Sequence, residues 1–315
     1  MAAMDVNQSL KGRDFISLHD FSVGEIALML ETGLALKKQQ KAGLPHPVLA
    51  GKTLGMIFQK SSTRTRVAFE VGMYQLGGHA LFLSPRDIQL GRGESIKDTA
   101  LVLERMLDGI MIRTYSHDEV LELAQWSSIP IINGLTDLLH PTQIIGDMMT
   151  IIEHKGSLKG LKLAYVGDGN NVAHCLLYGG AKTGMDVVIA CPKGFEPDAQ
   201  VLRQAQEDAK ATGAKIWVVE DPIEAVTGAD VVYTDVWASM GQEAEAQEKE
   251  QKFRQYQINQ KLMSYAHKDA IVLHCLPAKR GKEITDEVMD GPQSVVFPEA
   301  ENRLHAHKAI MALVM

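Results

Sequence analysis

Short apolar runs alternate with stretches of helical apolar spacing along most of the 315-residue chain. The runs have the length of buried strands, while the periodic stretches place apolar residues on one face of a helix. Nine strands are predicted, near 52–58, 80–83, 108–112, 130–132, 161–166, 186–190, 215–219, 230–234 and 270–274. Strands that alternate with helices indicate parallel sheets covered on both faces, so we expect an α/β fold.

The first helix is predicted to begin with a capping box, Ser22 to Glu25, and to run to about Lys38. Further helices are predicted near 64–77, 95–106, 118–126, 141–154, 171–184, 198–212, 243–258 and from about 298 to the end. The segment from Glu243 to Gln260 is rich in Glu, Gln and Lys, and we interpret it as a solvated helix.

The alternation restarts after Lys155, which predicts two doubly wound parallel-sheet domains. We expect them to cover residues 1–150 and 151–298, with the last helix, 299–315, packing back onto the first. Ligands of open α/β sheets bind beyond the carboxyl ends of the strands. Polar clusters follow strands in both halves, so we expect a site in a cleft between the two domains.

Composition narrows the class of protein. Apolar residues make up 45% and charged residues 23% of the chain, with a net charge of -7, which argues against a nucleic-acid partner. No apolar run reaches the length of a membrane span, and no secretory signal is visible. Three cysteines with no zinc-type spacing fit a reducing compartment. We therefore predict a cytoplasmic protein without a metal site.

The most unusual stretch is the join between the first strand and the following helix, from Phe58 to Arg66. It holds consecutive hydroxyl residues and two arginines at a helix start, where unpaired N–H groups and the positive end of the dipole meet. Such a join suits a phosphate. The alternative is an ordinary Ser/Thr cap beside two solvated arginines.

Further polar residues follow other strands, and each also has a purely structural interpretation. Arg113 could be a surface strand end, His140 a plain residue at a helix start, and Cys275 a small buried hydrophobe. Gln89 is unremarkable in its Gly-rich loop, and Asp168 fits a turn.

The turn from Gly167 to Gly169 also allows a dinucleotide site, since it joins a strand to a helix. However, Val172 replaces the third glycine, and the segment from Val188 to Cys191 offers no acid for a ribose. A nicotinamide-dependent dehydrogenase is therefore the weaker hypothesis.

Taken together, these motifs resemble the aspartate/ornithine carbamoyltransferase family over essentially the whole chain. The resemblance rests on Ser62-Thr63-Arg64-Thr65, Arg113, His140-Pro141-Thr142-Gln143 and His274-Cys275-Leu276-Pro277. Asp235 followed by Ser239-Met240-Gly241 resembles the ornithine-specific branch. The resemblance implies transfer of the carbamoyl group of carbamoyl phosphate to the side-chain amine of L-ornithine, giving L-citrulline in arginine biosynthesis.

The resemblance also implies a role for each matching residue. Carbamoyl phosphate would be bound by Ser62, Thr63, Arg64, Thr65, Gln89, Arg113, His140, Gln143, Cys275, Leu276 and Arg303. Gln89 would reach a neighbouring subunit's site in a homotrimer. Ornithine would be bound by Asn171, Asp235, Ser239 and Met240. The catalytic residues would be Cys275, Asp235, Arg113 and His140. No cofactor is implied.

The chemistry needs a neutral amine, so a thiolate or a carboxylate near it has to take a proton. Three other readings stay open. The enzyme could carbamoylate putrescine, N-acetylornithine or aspartate instead of ornithine. It could be the dehydrogenase already mentioned, or a non-catalytic scaffold with a relic site. Against aspartate, the segment 235–241 has no basic residue for a second carboxylate.

Overall fold

The computed structural model describes residues 10–90, 92–238 and 246–315. The strands are β1 (Thr53–Phe58), β2 (His79–Leu83), β3 (Gly109–Arg113), β4 (Ile131–Leu135), β5 (Lys162–Val166), β6 (Asp186–Ala190), β7 (Ile216–Val219), β8 (Val231–Thr234) and β9 (Ile271–His274). The longer helices are α1 (Val23–Lys41), α2 (Thr63–Gln75), α3 (Ile96–Leu103), α4 (His117–Trp126), α5 (Pro141–Lys155), α6 (Asn171–Thr183), α7 (Ala199–Asp208) and α12 (Val296–Val314). The remaining helices are α8 (Pro222–Val226), α9 (Ala246–Phe253), α10 (Gln260–Met263) and α11 (Asp286–Met289).

The chain divides into two compact units. Unit 1 consists of the described residues up to Gly146 together with Asn302–Met315, and unit 2 of Asp147–Glu301. The sheet of unit 1 has the order β2-β1-β3-β4 and that of unit 2 the order β7-β6-β5-β8-β9, and every pairing is parallel. The prediction of two parallel-sheet α/β folds is confirmed.

The central strands are buried because helices cover both faces of each sheet. In β1, only Thr53 retains partial exposure, and every residue of β3, β4, β8 and β9 is buried. The exceptions are two edge strands: β2 of unit 1, in which His79, Leu81 and Phe82 are exposed, and β7 of unit 2, in which three residues are partly exposed. The apolar runs of the sequence therefore mark the interior of each sheet.

Helix α1 begins with the predicted capping box. Ser22 accepts the N–H of Glu25, and the Glu25 carboxylate accepts the N–H of Ser22 at 2.8 Å. Two orphan donors of the first turn are thereby satisfied.

Helix α12 packs closely on α2 within unit 1. A Cβ atom built on Gly72 would lie 2.9 Å from Met311 Cε and 3.2 Å from Lys308 Cγ, so the helices approach through the glycine. The Lys308 ammonium is buried and donates to Gln75 Oε1 at 2.9 Å, at the end of α2. This contact fixes one end of the α2–α12 pair.

The prediction of a solvated helix over 243–260 holds only in part, because α9 exposes Glu248, Glu250 and Gln251 but ends at Phe253. Residues 243–245 lie outside the described part, and α9 with the following 3-10 turn (Arg254–Tyr256) packs on the core of unit 2. Phe253 and Tyr256 are wholly buried there, with ring centroids 5.8 Å apart. Apolar burial outweighs the charged composition, since two aromatic side chains bury several kilocalories of transfer free energy.

No helix in the described ranges is long and apolar enough to cross a membrane.

Candidate functional site

In unit 1, the predicted anion site lies at a topological switch point. The strand order β2-β1-β3-β4 places β2 on one side of β1 and β3 on the other, so the loops after β1 and β3 diverge. Helix α2 begins in that region, and Ser62 caps it by accepting the N–H of Thr65 at 3.2 Å. The site thus combines a helix N-terminus with the end of β3.

Arg113 is buried at the end of β3 and is tied to the loop after β1. Its Nε donates to the Lys60 carbonyl at 3.2 Å, while its own carbonyl accepts the N–H of Gln59 at 2.9 Å. Lys60 is itself 5% exposed; its ammonium pairs with Asp137 at 2.9 Å and lies 4.8 Å from the Tyr115 ring centroid. These contacts fix the guanidinium beside the start of α2.

Arg303 reaches the same region from α12. One terminal nitrogen donates to Gln143 Oε1 and the other to Thr65 Oγ1 at 3.0 Å. Three residues that are distant in sequence are therefore joined in one buried network. The predicted residues Thr65, Gln143 and Arg303 are brought together by the fold of unit 1.

His140, just before α5, is a neutral imidazole in this network. Burial lowers its pKa well below the ordinary value, and the positive charges of Arg303 and Arg113, and more weakly Arg64, lower it further. A neutral ring offers one N–H donor and adds no positive charge. The positive potential of the site therefore comes from arginine and the helix terminus.

Two further residues of unit 1, Arg66 and Gln89, are exposed at its surface. Arg66, the second arginine of the stretch from Phe58 to Arg66, pairs with Glu70 at 2.9 Å and lies over the Phe82 ring at 3.7 Å. That matches the solvated-arginine alternative for this one residue. Gln89 is exposed in the loop after β2, where it would be accessible to another molecule.

In unit 2, the second group of predicted residues centres on Asp235, which follows β8. One carboxylate oxygen accepts the Cys275 thiol at 3.0 Å and the Val236 N–H at 2.7 Å; the other accepts the Asn170 amide at 2.8 Å. The strand order β7-β6-β5-β8-β9 explains the meeting, because the loops after β5 and β8 lie at the switch point of this sheet.

Cys275 is present as a thiol. Burial raises its pKa well above the ordinary value, and the adjacent negative charge of Asp235 raises it further. The thiolate alternative is therefore disfavoured, because ionisation would place two negative charges side by side. Of the two candidate proton acceptors, the carboxylate of Asp235 fits the geometry.

His274 holds the loop that carries Cys275. Its Nδ1 accepts the N–H of Leu276 at 2.9 Å, so the proton lies on Nε2, which contacts Glu283 at 3.2 Å. Leu276 has a φ of 56°, a left-handed conformation that a side chain rarely adopts. Backbone strain of this kind is maintained by surrounding contacts and occurs at functional sites.

Ligand atoms of Asp235, His274 and Cys275 lie within 4.8 Å of one another, which is close enough to consider a metal. However, both ring nitrogens of His274 already contact protein groups, and the thiol donates to the carboxylate. A metal would have to displace these contacts, and we assign none.

The dinucleotide hypothesis fits this geometry poorly. Asn170 Oδ1 caps α6 by accepting the N–H groups of Val172 and Ala173 at 3.0 and 3.2 Å. Those amides are the ones that a pyrophosphate would use. A Cβ atom on Gly169 would lie 2.3 Å from the backbone of Pro197, so the close approach at this glycine is to the chain itself.

Asn170 is a candidate site residue that the sequence did not single out, because the adjacent Asn171 was chosen instead. Asn171 is buried in the first turn of α6, whereas Asn170 contacts Asp235. Asp168 fits its turn but also pairs with the buried Lys249 at 2.6 Å. Ser239 and Met240 lie outside the described residues.

The buried carboxyl group of Glu299 holds the backbone next to Cys275. Glu299 accepts the N–H of His274 at 2.8 Å and contacts the Tyr233 hydroxyl at 3.1 Å, and Tyr233 also contacts Asp147 at 3.0 Å. Burial raises the pKa of Glu299 well above its ordinary value, with repulsion from Asp147 adding to the effect. Glu299 and Asp147 together therefore hold a proton to higher pH than an exposed carboxyl group would.

Comparison with known proteins gives the same family in both units. Residues 13–153 match the family model "Aspartate/ornithine carbamoyltransferase, carbamoyl-P binding domain", and residues 159–314 match the corresponding "Asp/Orn binding domain". The ornithine carbamoyltransferase of Carboxydothermus hydrogenoformans is 60% identical over 307 residues, which cover 98% of this chain and 99% of that protein. An anabolic ornithine carbamoyltransferase of Pyrococcus furiosus is 56% identical, covering 98% of each chain.

Solved structures agree. The structure of the Pyrococcus furiosus ornithine carbamoyltransferase matches with a TM-score of 0.95 at 56% identity, over 97% of this chain and 98% of that chain. The anabolic enzyme of Campylobacter jejuni matches with a TM-score of 0.90 at 44% identity, over 95% and 97% of the two chains. The chain therefore belongs to the aspartate/ornithine carbamoyltransferase family.

Proposed function

We propose that this protein transfers the carbamoyl group of carbamoyl phosphate to the side-chain amine of L-ornithine, giving L-citrulline and phosphate. The observation that carries the proposal is the buried network in which Arg303 donates to Gln143 and to Thr65 at the start of α2. Such a network suits a small dianion whose carbonyl oxygen becomes negative during the reaction. The names of the relatives point to the same substrates.

The residues of unit 1 bind carbamoyl phosphate in this proposal. Ser62, Thr63, Arg64 and Thr65 hold the phosphate, which receives hydrogen bonds and the positive end of the α2 dipole. Gln143 and Arg303 fix the carbamoyl end. Arg113 and His140 contact its carbonyl oxygen, where developing charge is stabilised by groups already in place.

The residues of unit 2 bind ornithine and receive its proton. Asn171, Ser239 and Met240 are assigned to the α-amino and α-carboxylate groups by family resemblance. Asp235 is assigned to the side-chain amine, which has an unperturbed pKa of roughly 10 and attacks only as the free base. Asp235 takes the proton, and Cys275 remains a thiol that donates to the carboxylate and holds its orientation.

The reaction then proceeds by addition and elimination. The amine nitrogen forms a bond to the carbamoyl carbon, and the carbonyl electrons move onto oxygen to give a tetrahedral oxyanion. When the carbonyl reforms, the bond from carbon to the phosphate oxygen breaks, the attacking nitrogen gives its second proton to the departing oxygen, and hydrogen phosphate leaves beside Arg64. No electron is transferred to a cofactor, so the chemistry requires none.

We also propose a cytoplasmic homotrimer, as family resemblance implies. Edge strand β2 exposes Leu81 and Phe82, and the neighbouring helix α2 exposes Val67 and Tyr74, the last by 81%. An edge strand with exposed apolar side chains is suited to burial by another chain. No disulfide joins the three cysteines, all of which lie in the described ranges. Sedimentation of the wild type and a Tyr74→Glu variant tests the assembly.

The function is tested by measuring ureido-product formation from carbamoyl phosphate with ornithine, putrescine, N-acetylornithine and aspartate. Strong turnover of ornithine alone is expected. Asp235→Asn should lower kcat by roughly 10²–10⁴-fold, the usual contribution of a general base. Cys275→Ala should lower kcat less, because the thiol orients the carboxylate.

Cys191→Ala is the matched control. Cys191 is a buried cysteine of the same unit that follows β6, whereas Cys275 follows β9. Turnover of another amine would keep the anion site and reject the ornithine assignment. No turnover of any amine would refute the proposed function.

A further inference from the structure

His307 contacts the guanidinium of Arg303 from one turn further along α12. The imidazole is wholly buried, and its Nε2 lies 3.3 Å from Arg303 Nε. Its ring stacks on Phe69, with centroids 4.1 Å apart and planes 24° from parallel. The ring is therefore held in one orientation by an aromatic side chain of α2.

The proton positions follow from donor and acceptor chemistry. An arginine Nε can only donate, so His307 Nε2 has to be unprotonated and the ring proton lies on Nδ1. Burial lowers the pKa of His307 well below its ordinary value, and the charge of Arg303 lowers it further, which keeps the ring neutral.

The buried imidazole of His307 also lowers the stability of the fold. Nδ1 has no hydrogen-bond partner within the ranges that the structure describes. A buried N–H group without a partner destabilises the fold. Within the described ranges, the hydrogen bond from Arg303 is therefore the one polar interaction that the imidazole makes.

We propose that His307 is a positioning residue for carbamoyl phosphate, acting through Arg303. Hydrogen bonds at the two terminal nitrogens alone leave the guanidinium plane able to rotate about the line that joins those nitrogens. The bond from Nε to His307 fixes the third edge of the planar group, while Gln143 and Thr65 hold the other two. The inference rests on the proposed role of Arg303 in binding carbamoyl phosphate.

The test compares His307→Leu, which has no acceptor, with His307→Gln, which has one. The leucine variant should raise KM for carbamoyl phosphate about ten-fold, the effect of losing one charge-assisted hydrogen bond, and change kcat less. The glutamine variant should stay within about two-fold of the wild type. Calorimetry with inorganic phosphate should give the same order of affinities.

A double-mutant cycle separates positioning from a structural role. In an Arg303→Met background, His307→Leu should have no further effect on phosphate affinity, because its target is gone. An equal loss in both backgrounds would overturn the inference. His305→Gln, at a second wholly buried histidine of α12, controls for general disturbance of the helix. An equal rise in KM there would also overturn it.

A measurement on the wild type keeps the inference testable if the leucine variant does not fold. Long-range ¹H–¹⁵N spectra, assigned with His307→Gln, report the tautomer of the ring. A proton on Nδ1 is expected, and a proton on Nε2 would refute the contact. Wild-type turnover of ornithine with an unaffected His307→Leu variant would reject this inference and leave the proposed function intact.

Discussion

The buried ammonium of Lys308 should make the stability of the protein depend on alkaline pH. Its partners are all neutral: Gln75 Oε1 at 2.9 Å, His46 Nε2 at 3.2 Å and Gln40 Oε1 at 3.4 Å. His46 Nδ1 donates to the Leu44 carbonyl at 2.9 Å, which leaves Nε2 as the acceptor. Burial lowers the pKa of Lys308 from 10.5 to about 8.

The size and sign of the effect follow from linkage. The unfolded chain binds the Lys308 proton more tightly than the folded one, so stability increases with pH between the two pKa values. A lowering from 10.5 to about 8, at about 1.4 kcal/mol per pKa unit, corresponds to about 3 kcal/mol. Below pH 8 the buried charge destabilises the folded state by the full amount, and by pH 10.5 this destabilisation is gone.

The perturbation is Lys308→Met, which keeps the length of the side chain and removes the titration. Urea unfolding of both proteins at fixed concentration, from pH 7 to 10.5, gives the difference in the free energy of unfolding. Other groups titrate in both proteins and cancel in that difference. Over this range, the free energy of unfolding of the wild type should rise by about 3 kcal/mol relative to that of the variant.

Lys210→Met provides the control, since Lys210 is an exposed lysine whose side chain retains 71% of its accessibility. Its difference from the wild type should lack the rise above pH 8. A flat difference for Lys308→Met would refute the reasoning. A difference that falls as pH rises would also refute it, because it would mean that folding favours the charged form.

Three further predictions concern the loops of unit 2. Glu299→Gln should become more stable relative to the wild type as pH rises from 5 to 8, because the amide needs no proton to be neutral and its carbonyl still accepts the His274 N–H. Denaturation at each pH gives the free energy of unfolding of the variant minus that of the wild type. A value that stays constant or falls with rising pH would contradict this prediction. Gly169→Ala should cost about 2–3 kcal/mol in thermal unfolding, since its Cβ would meet backbone that cannot move away, and an unchanged Tm would contradict the close approach. Asn170→Asp should keep the α6 cap but set a second carboxylate against Asp235, so KM for ornithine should rise and stability should fall through like-charge repulsion, whereas Asn170→Ala should raise KM and lose about 1 kcal/mol of stability with the cap; equal KM values in wild type and both variants would argue against this role.

Strands were the most predictable part of the fold. Strands of a parallel sheet are buried on both faces, so each reads as an unbroken apolar run between polar loops. The short helices α8, α10 and α11 were missed because four or five residues are too few to display a helical period. Composition misled over 243–260, where Phe253 and Tyr256 are spaced to face one side and decide the packing.

The positions of the site residues could be predicted, but their partners could not. The rule for strand ends selects Arg113 and Asp235 from the sequence alone. Choosing between Asn170 and Asn171 requires backbone geometry, because both are amides at one helix start and only Asn170 has the extended conformation of a cap. The contact of His307 with Arg303 depends on side-chain orientation, which no spacing rule specifies.

Unit 1 is built from two separate segments of the chain, and this affects the order of folding during synthesis. The residues that complete it, from Asn302 onward, are translated only after all of unit 2. Nascent domains generally fold as they emerge, but this one would wait with the α2 face exposed at Phe69 and Gly72, where α12 later packs. Unit 1 is therefore the first to be started and the last to be completed, and a chaperone that covers the α2 face during that interval would raise the yield of folded protein.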